Sequence, residues 1–328
     1  MDGTFVGCST RLCLRAIIIQ FIHQRFFYVI KETDICNYAD DNTLHACDIK
    51  LDILMEKLEG AADTALIWFK QNGMKMNSDK CHLLVCGHKY ELMIANVGNE
   101  LIIESSKVKL LGINIDSDLS FNDHLNSICK KASNKLNALS RQCAILPFQK
   151  RKVLMHAFIM SQFNYCPLVW MCHSRNINNK INNLHYKALR MVYDDQDSTF
   201  EELLKKDGAV TIHQQNIRSL AVEMFMVLNN LAPPFMSNIF TKNTNFGTDN
   251  VSSNTRSKPI FYNKDNPRTR NYGLETLRCL GPKVYDMLPI EIKQSTSVQA
   301  FKMKIKKWLP TRCPCRICLD YIPNIGYV

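Results

Sequence analysis

The feature that most constrains the fold of this chain is a basic stretch with a helical pattern of apolar residues. No Asp or Glu occurs between Asp123 and Asp194, whereas eleven Lys and Arg residues lie there. Its first apolar residues recur at three- and four-residue spacing: Leu125, Ile128, Cys129, Ala132, Leu136 and Leu139. This spacing predicts an amphipathic helix with Lys130 and Arg141 on its opposite face. Two further helices are predicted over 149–165 and 177–193, which gives a small basic helical bundle.

Charge alternates in blocks along the whole chain, which has 328 residues and a net charge of +11. Residues 1–127 carry a net charge of −5, and residues 128–191 carry +11. The next block, 192–250, carries −4, and 251–328 carries +9. Two separate basic blocks predict a polyanionic partner, of which nucleic acid is the commonest. The alternative is a solvated basic face without a partner.

Several classes of protein are excluded by what the sequence lacks. No run of 18 uncharged apolar residues exists, so no membrane helix and no membrane partner are expected. The short apolar run at 16–22 is not followed by a signal-peptide cleavage site. Fourteen cysteines in a chain of this length, without a secretion signal, predict reduced thiols and an intracellular protein, nuclear or cytoplasmic and not secreted. No P-loop, G-x-G-x-x-G or G-x-S-x-G motif occurs.

The first third of the chain alternates strand and helix patterns. Residues 26–47 predict two short strands around the tight acidic turn Asp40–Asp41. Apolar residues at helical spacing then predict a helix over 48–70, which ends at Asn72-Gly73. Segment 75–87 is predicted as a strand, and 107–119 as a strand or hairpin with Gly112 inside. The predicted fold class is therefore α+β.

The acidic pair in Tyr38-Ala39-Asp40-Asp41 is the sharpest local chemical signal. Two adjacent carboxylates in a tight turn repel each other, and a divalent cation relieves that repulsion. Polymerases use such carboxylates to hold two metal ions during nucleotide transfer. The alternative is an acidic pair that only caps a turn.

Several ordered motifs accompany this turn. The pattern W-x-x-x-N-G-x-x-x-N-x-x-K comprises Trp68, Asn72, Gly73, Asn77 and Lys80. The pattern K-x-L-G-I-x-I-D-x-x-L follows, at Lys109, Leu111, Gly112, Ile113, Ile115, Asp116 and Leu119, with His124 after it. Together with the C-terminal segment 268–309, these motifs resemble reverse transcriptases of non-LTR retrotransposons, closest to the jockey-like group. The resemblance covers about 26–328.

The resemblance implies a partial polymerase palm of antiparallel strands with a helix, followed by a helical thumb and an α-rich C-terminal region. The implied segments are an unmatched N-terminal segment (1–25), the palm (26–123), a basic thumb and connection (124–240), an irregular linker (241–273) and a basic C-terminal region with a Cys cluster (274–328). The implied partners are an RNA template, RNA–DNA hybrid or DNA, and dNTP in an active enzyme.

The resemblance also implies roles for individual residues. Asp40 and Asp41 would be catalytic carboxylates that hold Mg²⁺ or Mn²⁺, and Lys80 would lie near the nucleotide triphosphate. Tyr38, Leu111 and Gly112 would lie at the nucleic acid. The basic thumb residues predicted to contact nucleic acid are Lys130, Lys131, Lys135, Arg141, Lys150, Arg151 and Lys152. The alternatives are a solvated lysine at 80 and a simple strand bulge at 112.

One departure from the family pattern bears on activity. A working palm needs a third carboxylate on a preceding strand, and the acids before Asp40 are Asp2, Glu32 and Asp34. Asp2 lies in the unmatched segment, and the other two are too near the turn for a separate strand. We therefore expect a fragment of an RNA-directed DNA polymerase that is inactive by itself. The alternatives are a non-catalytic nucleic-acid-binding module and a protein–protein scaffold.

The C-terminal Cys-Pro-Cys-Arg-x-Cys run offers three thiols, Cys313, Cys315 and Cys318. The spacing of Cys315 and Cys318 fits a zinc site, and His173 or Cys172 could add a ligand if the tail folds back. The alternative is that reduced cysteines pack a small tail.

Overall fold

The computed structural model describes residues 30, 33–38, 41–87, 92–240, 273–274, 276–309, 315, 321–322 and 326–327. Helices dominate this part of the chain, and its strands form small antiparallel pairs, so the α+β class is confirmed at that level. The predicted N-terminal segment 1–25 and nearly all of the predicted linker 241–273 lie outside the described residues.

The chain divides into two units, 1–124 with 266–274, and 125–265 with 275–328. The first unit contains β1 (Asp34–Tyr38), β2 (Asp41–His45), α1 (Leu51–Gln71), β3 (Ile94–Val97), β4 (Glu100–Ile103), β5 (Lys107–Leu110) and β6 (Ile113–Asp116). Consecutive strands pair as three antiparallel hairpins, β1–β2, β3–β4 and β5–β6. Each described sheet has two strands, so the described part does not show one continuous palm sheet.

Helix α1 forms the centre of the core of the first unit. Its buried residues recur at helical spacing: Leu54, Met55, Leu58, Ala61, Ala62, Ala65 and Phe69. They pack with Leu44 of β2, Val97 of β3 and the buried run Leu83–Cys86. The helix predicted from the sequence is confirmed. Its apolar residues were recognisable because they all lie on the one face that is buried.

The predicted strand over 75–87 is absent. Ser78–Lys80 is a 3₁₀ turn, and after it His82, Leu83 and Cys86 form isolated bridges, among them Leu83 with Glu104. Leu83, Leu84 and Val85 are all buried, so both sides of this extended segment face the core. A segment buried on both sides resembles a strand in composition although it joins no sheet.

The second unit is largely helical. Its helices are the following: α2 (Asn122–Ser140, which begins just before the division), α3 (Phe148–Leu154), α4 (Ser161–Asn164), α5 (Pro167–Trp170), α6 (Arg175–Tyr193), α7 (Phe200–Asp207), α8 (Ile212–Leu228), α9 (Pro234–Ile239), α10 (Leu277–Asp286), α11 (Ile290–Lys293) and α12 (Val298–Lys307). A short strand pair, β7 (Tyr321–Ile322) and β8 (Gly326–Tyr327), follows.

The three helices predicted in the basic stretch are present with one change. All six apolar residues of the predicted α2 face are buried. The predicted helix over 149–165 is divided, since a π-helical turn at Met155–Met160 separates α3 from α4. Helix α6 begins at Arg175, where the Ser174 side chain accepts a hydrogen bond from the Ile177 amide.

Helix α8 organises the core of the second unit. Helices α10 and α12 pack against it, and Phe225 of α8 stacks on Phe301 of α12 with ring centroids 4.3 Å apart. A Cβ at Gly281 of α10 would lie 2.6 Å from Met224 Sδ, so the glycine permits the close approach of α10. The 274–328 region therefore contributes to the same core as α8.

Among the helices within the described ranges, none combines the length and apolar character needed to cross a bilayer.

Candidate functional site

The acidic turn lies at the tip of the β1–β2 hairpin. Tyr38 pairs with Asp41 in the register, so the hairpin connection is Ala39–Asp40, which lies outside the described residues. Tyr38 is 67% exposed and Asp41 is half-buried. The two predicted strands are therefore present as an antiparallel pair, in which Asp41 lies opposite the exposed Tyr38.

The resemblance implies a divalent metal at this turn. In the described part of the chain, no three His, Cys, Asp or Glu side chains are grouped so that they could hold a metal ion. The sheet that contains Asp41 has two described strands, and neither supplies a third carboxylate next to the turn. The described residues by themselves do not fit a Mg²⁺ or Mn²⁺ site, and the metal roles of Asp40 and Asp41 stay predictions.

The W-x-x-x-N-G motif forms the end of α1. The Asn72 side chain donates to the Trp68 carbonyl oxygen at 2.8 Å. Gly73 has φ +70°, and the Gly73 and Met74 amides donate to the carbonyls of Lys70 and Phe69. These bonds form a Schellman cap, which explains why glycine stands there. The Asn72-Gly73 part of the motif therefore has a structural role at the end of α1.

Lys80 ends the 3₁₀ turn that follows. The Asn77 side chain accepts from the Asp79 amide and so caps this turn. The Lys80 side chain is half-buried. Its predicted role beside a nucleotide triphosphate stays a prediction.

Leu111 and Gly112 form the two-residue turn between β5 and β6. Both have positive φ, +45° and +85°, as a type I′ hairpin turn requires. Glycine adopts a positive φ freely, whereas the same backbone conformation is strained at the exposed Leu111. The hairpin alternative for 107–119 is therefore confirmed, and it presents both residues at an exposed tip.

The remaining residues of this motif connect the hairpin to α2. The Asp116 carboxylate accepts from the Ser120 and Phe121 amides and from the Ser120 hydroxyl. His124 Nδ1 accepts from the Asn114 amide at 3.3 Å. Asp116 and His124 thus fix the turn that precedes α2.

The predicted basic residues occupy two kinds of environment in the second unit. Lys130, Lys131, Arg141 and Lys150 are exposed, and Lys135 is half-buried. These five side chains are accessible enough for a phosphate backbone to reach them.

Arg151 and Lys152 make internal contacts. Arg151 Nε donates to the Leu146 carbonyl oxygen at 2.8 Å. Lys152 Nζ lies 2.6 Å from a carboxylate oxygen of Asp207, whose side chain is 4% exposed. A buried carboxylate needs such a partner, so Lys152 has a structural role that competes with its predicted nucleic-acid contact.

The structure gathers Arg151, Lys187 and Arg190 around one cleft of about 520 Å³, which we name the basic cleft. It is also lined by the end of α2, Cys143, Asp194 and Gln196. Sequence reasoning did not single out Lys187 and Arg190. The available signal was their place in the acid-free stretch, and the missing information was which helix α6 would face.

Both arginines of the basic cleft are held by backbone carbonyls. Arg190 Nη2 donates to the Gln196 carbonyl oxygen, and its guanidinium lies 5.3 Å from the centre of the Tyr186 ring. Arg151 is fixed by Leu146, as described above. The guanidinium groups are therefore orientated before any ligand arrives, which lowers the entropy cost of binding an anion.

Cys315 is buried in the second unit, where its Sγ lies 3.4 Å from His213 Nε2. His173 is buried too, and its Nδ1 lies 3.1 Å from the Trp170 carbonyl oxygen. Cys313 and Cys318 lie outside the described residues, and the described ones form no three-ligand group. The described residues do not make up a zinc site, and Zn²⁺ at the Cys cluster stays a prediction.

Comparison of the chain with protein-family models, with curated proteins and with solved structures gives no match. Any functional conclusion therefore depends on the motifs and on the geometry described above.

Proposed function

We propose that the chain is part of an RNA-directed DNA polymerase of a non-LTR retrotransposon, and that its helical unit binds RNA–DNA hybrid. The ordered motifs from Tyr38 to His124 support the family. The observation that carries the binding function is the basic cleft, where Arg151, Lys187 and Arg190 converge within the acid-free stretch.

The chemistry of the basic cleft suits phosphate. Arginine presents a planar set of donors that matches phosphate oxygens, and carbonyl contacts already orient Arg151 and Arg190. Lys150 is exposed on the same helix as Arg151 and adds positive charge next to it. Asp194 is the acidic residue of the lining, so positive charge exceeds negative charge there.

We expect binding without primer extension by this polypeptide alone. The described part of the first unit contributes Asp41 beside a two-stranded hairpin and no third carboxylate at that position. Two-metal catalysis tolerates little loss of ligands, because both ions must be held in place.

The test is fluorescence anisotropy with a short labelled RNA–DNA hybrid, measured from about 50 to about 200 mM salt. The variant Lys150→Gln/Lys187→Gln removes the exposed charge of Lys187, which lines the basic cleft, and that of Lys150, which precedes Arg151 on α3. If both contact phosphates, the slope of log affinity against log salt should become less steep by about 1.8. The matched control is Lys70→Gln/Lys75→Gln, which removes two exposed charges from the first unit and should leave the slope unchanged.

Two results would contradict the proposal. Folded wild-type protein that does not bind hybrid at the lowest salt would exclude the binding function. Equal losses of hybrid affinity in both double variants would show that net charge acts, and not the basic cleft.

Mg²⁺-dependent primer extension that Asp41→Asn abolishes would overturn the separate expectation of an inactive polypeptide.

A further inference from the structure

A second cleft lies elsewhere in the helical unit, and none of the residues predicted from the sequence lines it. Its volume is about 620 Å³, and its walls come from α8, α12, the π-helical turn with α4, and the α7–α8 connection. We name it the α8–α12 cleft. Clefts of this volume accommodate small organic ligands.

Three cationic side chains line the α8–α12 cleft: Arg218, Lys302 and Lys306. Lys302 and Lys306 lie one turn apart on α12 and are exposed. Arg218 Nε and Nη2 donate to the Trp308 carbonyl oxygen at 2.9 and 2.6 Å, which fixes the guanidinium. The three charges come from two packed helices, so they converge without a loop having to close.

The carboxylate that lines the α8–α12 cleft is already balanced. Asp207 pairs with Lys152 at 2.6 Å and accepts from the Tyr193 hydroxyl at 2.9 Å. Its negative charge is therefore compensated by a lysine that is not part of the cleft lining. The α8–α12 cleft therefore keeps an excess of positive charge, which favours an anionic ligand.

His185 forms a buried part of the wall of the same cleft. The side chain is 1% exposed, and its Nδ1 has no hydrogen-bond partner within the described part of the chain. Burial lowers the pKa of the imidazole to about 4, so the ring is neutral near pH 7. The neutral ring therefore adds no charge to the cleft wall, and the anionic ligand is held by the cationic side chains alone.

Apart from His156 and Ser219, the rest of the lining is apolar, with amides at one side. Val222 is half-buried and, with the buried Met160 and Ile305 behind it, forms an aliphatic wall for a flat ring. Asn164 and Gln215 share one hydrogen bond of 3.3 Å between their amides, and each keeps further donors and acceptors. A ligand that combines an anionic group, a flat ring and polar ring edges fits this lining, and a nucleotide has all three.

We propose that the α8–α12 cleft binds a nucleotide, with Arg218, Lys302 and Lys306 holding its phosphate. The apolar wall contacts the base, and neutral polar side chains contact its edge. This inference deepens the proposed function and takes from it the ligand class, but it uses different residues from the basic cleft. Either a free nucleotide or one nucleotide of a strand supplies this chemistry.

The test is calorimetric titration of the full chain with AMP and, separately, with adenosine. Wild type should bind AMP more tightly than adenosine, because the phosphate contacts three cations. Lys302→Gln/Lys306→Gln should weaken AMP binding at least about tenfold, since two of the three cations that contact the phosphate are lost. The control Lys205→Gln/Lys307→Gln removes two exposed lysines of the same unit outside the cleft and should leave AMP affinity unchanged.

Hybrid binding by the same variants separates the two sources. If AMP displaces hybrid and Lys302→Gln/Lys306→Gln weakens both, the cleft takes a nucleotide of the strand. If hybrid binding is unchanged while AMP binding falls, the cleft takes free nucleotide.

Two further outcomes separate this inference from the proposed function. AMP that fails to bind wild type, or binds Lys302→Gln/Lys306→Gln equally well, overturns the inference even where hybrid binds normally. If the protein binds AMP through these lysines but does not bind hybrid, the inference about the α8–α12 cleft stands and the proposed hybrid binding is excluded.

Discussion

Two buried histidines link the stability of the second unit to pH. His173 and His185 are each 1% exposed. Burial lowers the pKa of both imidazoles to about 4, against an ordinary value of 6.5. For His173 a hydrogen bond with the Trp170 carbonyl acts in the opposite direction and is the smaller effect. Both rings are therefore neutral in the folded protein at pH 5 and above.

We expect the free energy of unfolding to fall when the pH is lowered from 7 to 5. Unfolded histidine takes up a proton near pH 6.5, while the folded rings stay neutral until about pH 4. Protonation therefore favours the unfolded state in this window, by about 2 kcal/mol for each histidine. Urea unfolding at both pH values measures the effect.

The variant His185→Gln should lose about half of this pH dependence, because glutamine does not titrate. His156→Gln changes an exposed histidine of the same unit and, as the control, should keep most of the pH dependence, because burial has the largest influence on the pKa of His185 and the charge of His156 the smallest. Stability that is level between pH 7 and pH 5 in wild type would contradict the assignment of two neutral buried rings.

Among the helices, α7 and α8 begin with the same N-terminal capping motif. Thr199 and Thr211 are the N-caps, and each hydroxyl accepts from the amide three residues later. The side chains of Glu202 and Gln214 in turn accept from the N-cap amides, which completes two capping boxes. The T-x-x-E and T-x-x-Q patterns that encode them are visible in the sequence.

Thr211→Ala should destabilise the protein by about 1 kcal/mol, because it leaves the Gln214 amide at the start of α8 without its acceptor. Ser219→Ala lies in the interior of the same helix and is the matched control. It should be neutral or stabilising by a few tenths of a kcal/mol, about as much as alanine is favoured within helices. Urea unfolding compares the two, and an equal loss in both would contradict the capping assignment.

At the scale of the whole molecule, the alternating charge blocks are distributed over two units, each with its own hydrophobic core. The first unit is built around α1, and the second around α8. The acid-free stretch contributes α2, α3 and α6 to the second unit, where the basic cleft lies. The +11 charge of this stretch therefore lies in the helical unit, and the proposed function assigns phosphate contacts but no base contacts to the basic cleft.

Binding to hybrid should accordingly depend weakly on base sequence. Exchange of the base sequence at constant length should change Kd by less than about threefold, because phosphate contacts carry no sequence information. Anisotropy titrations with two unrelated hybrids at one salt concentration test this. A preference of about a hundredfold for one sequence would indicate base readout and contradict the prediction.

Local signals in the sequence determined the helices and hairpins. The apolar stripes predicted α1, α2 and α6, since one buried face is enough to produce a helical period. The tight acidic turn predicted the hairpin β1–β2, and a hairpin was one of two alternatives for the segment that forms β5–β6. The strand predicted over 75–87 was wrong, since a segment buried on both sides has no alternating period. The helix predicted over 149–165 is present but divided, because the apolar pattern does not reveal the π-helical turn at Met155–Met160.

The clefts depended on the tertiary structure. Arg151 and Lys187 line one cleft because α3 packs on α6. Arg218 donates to the carbonyl oxygen of Trp308, which lies 90 residues further along the chain. Cys315 lies beside His213 by the same kind of long-range packing. A period along one helix states which face is buried, but the partner of that face is selected by the fit of many side chains at once. The sequence by itself therefore determined the elements and the excess of positive charge, and only the packed structure decided which charges converge.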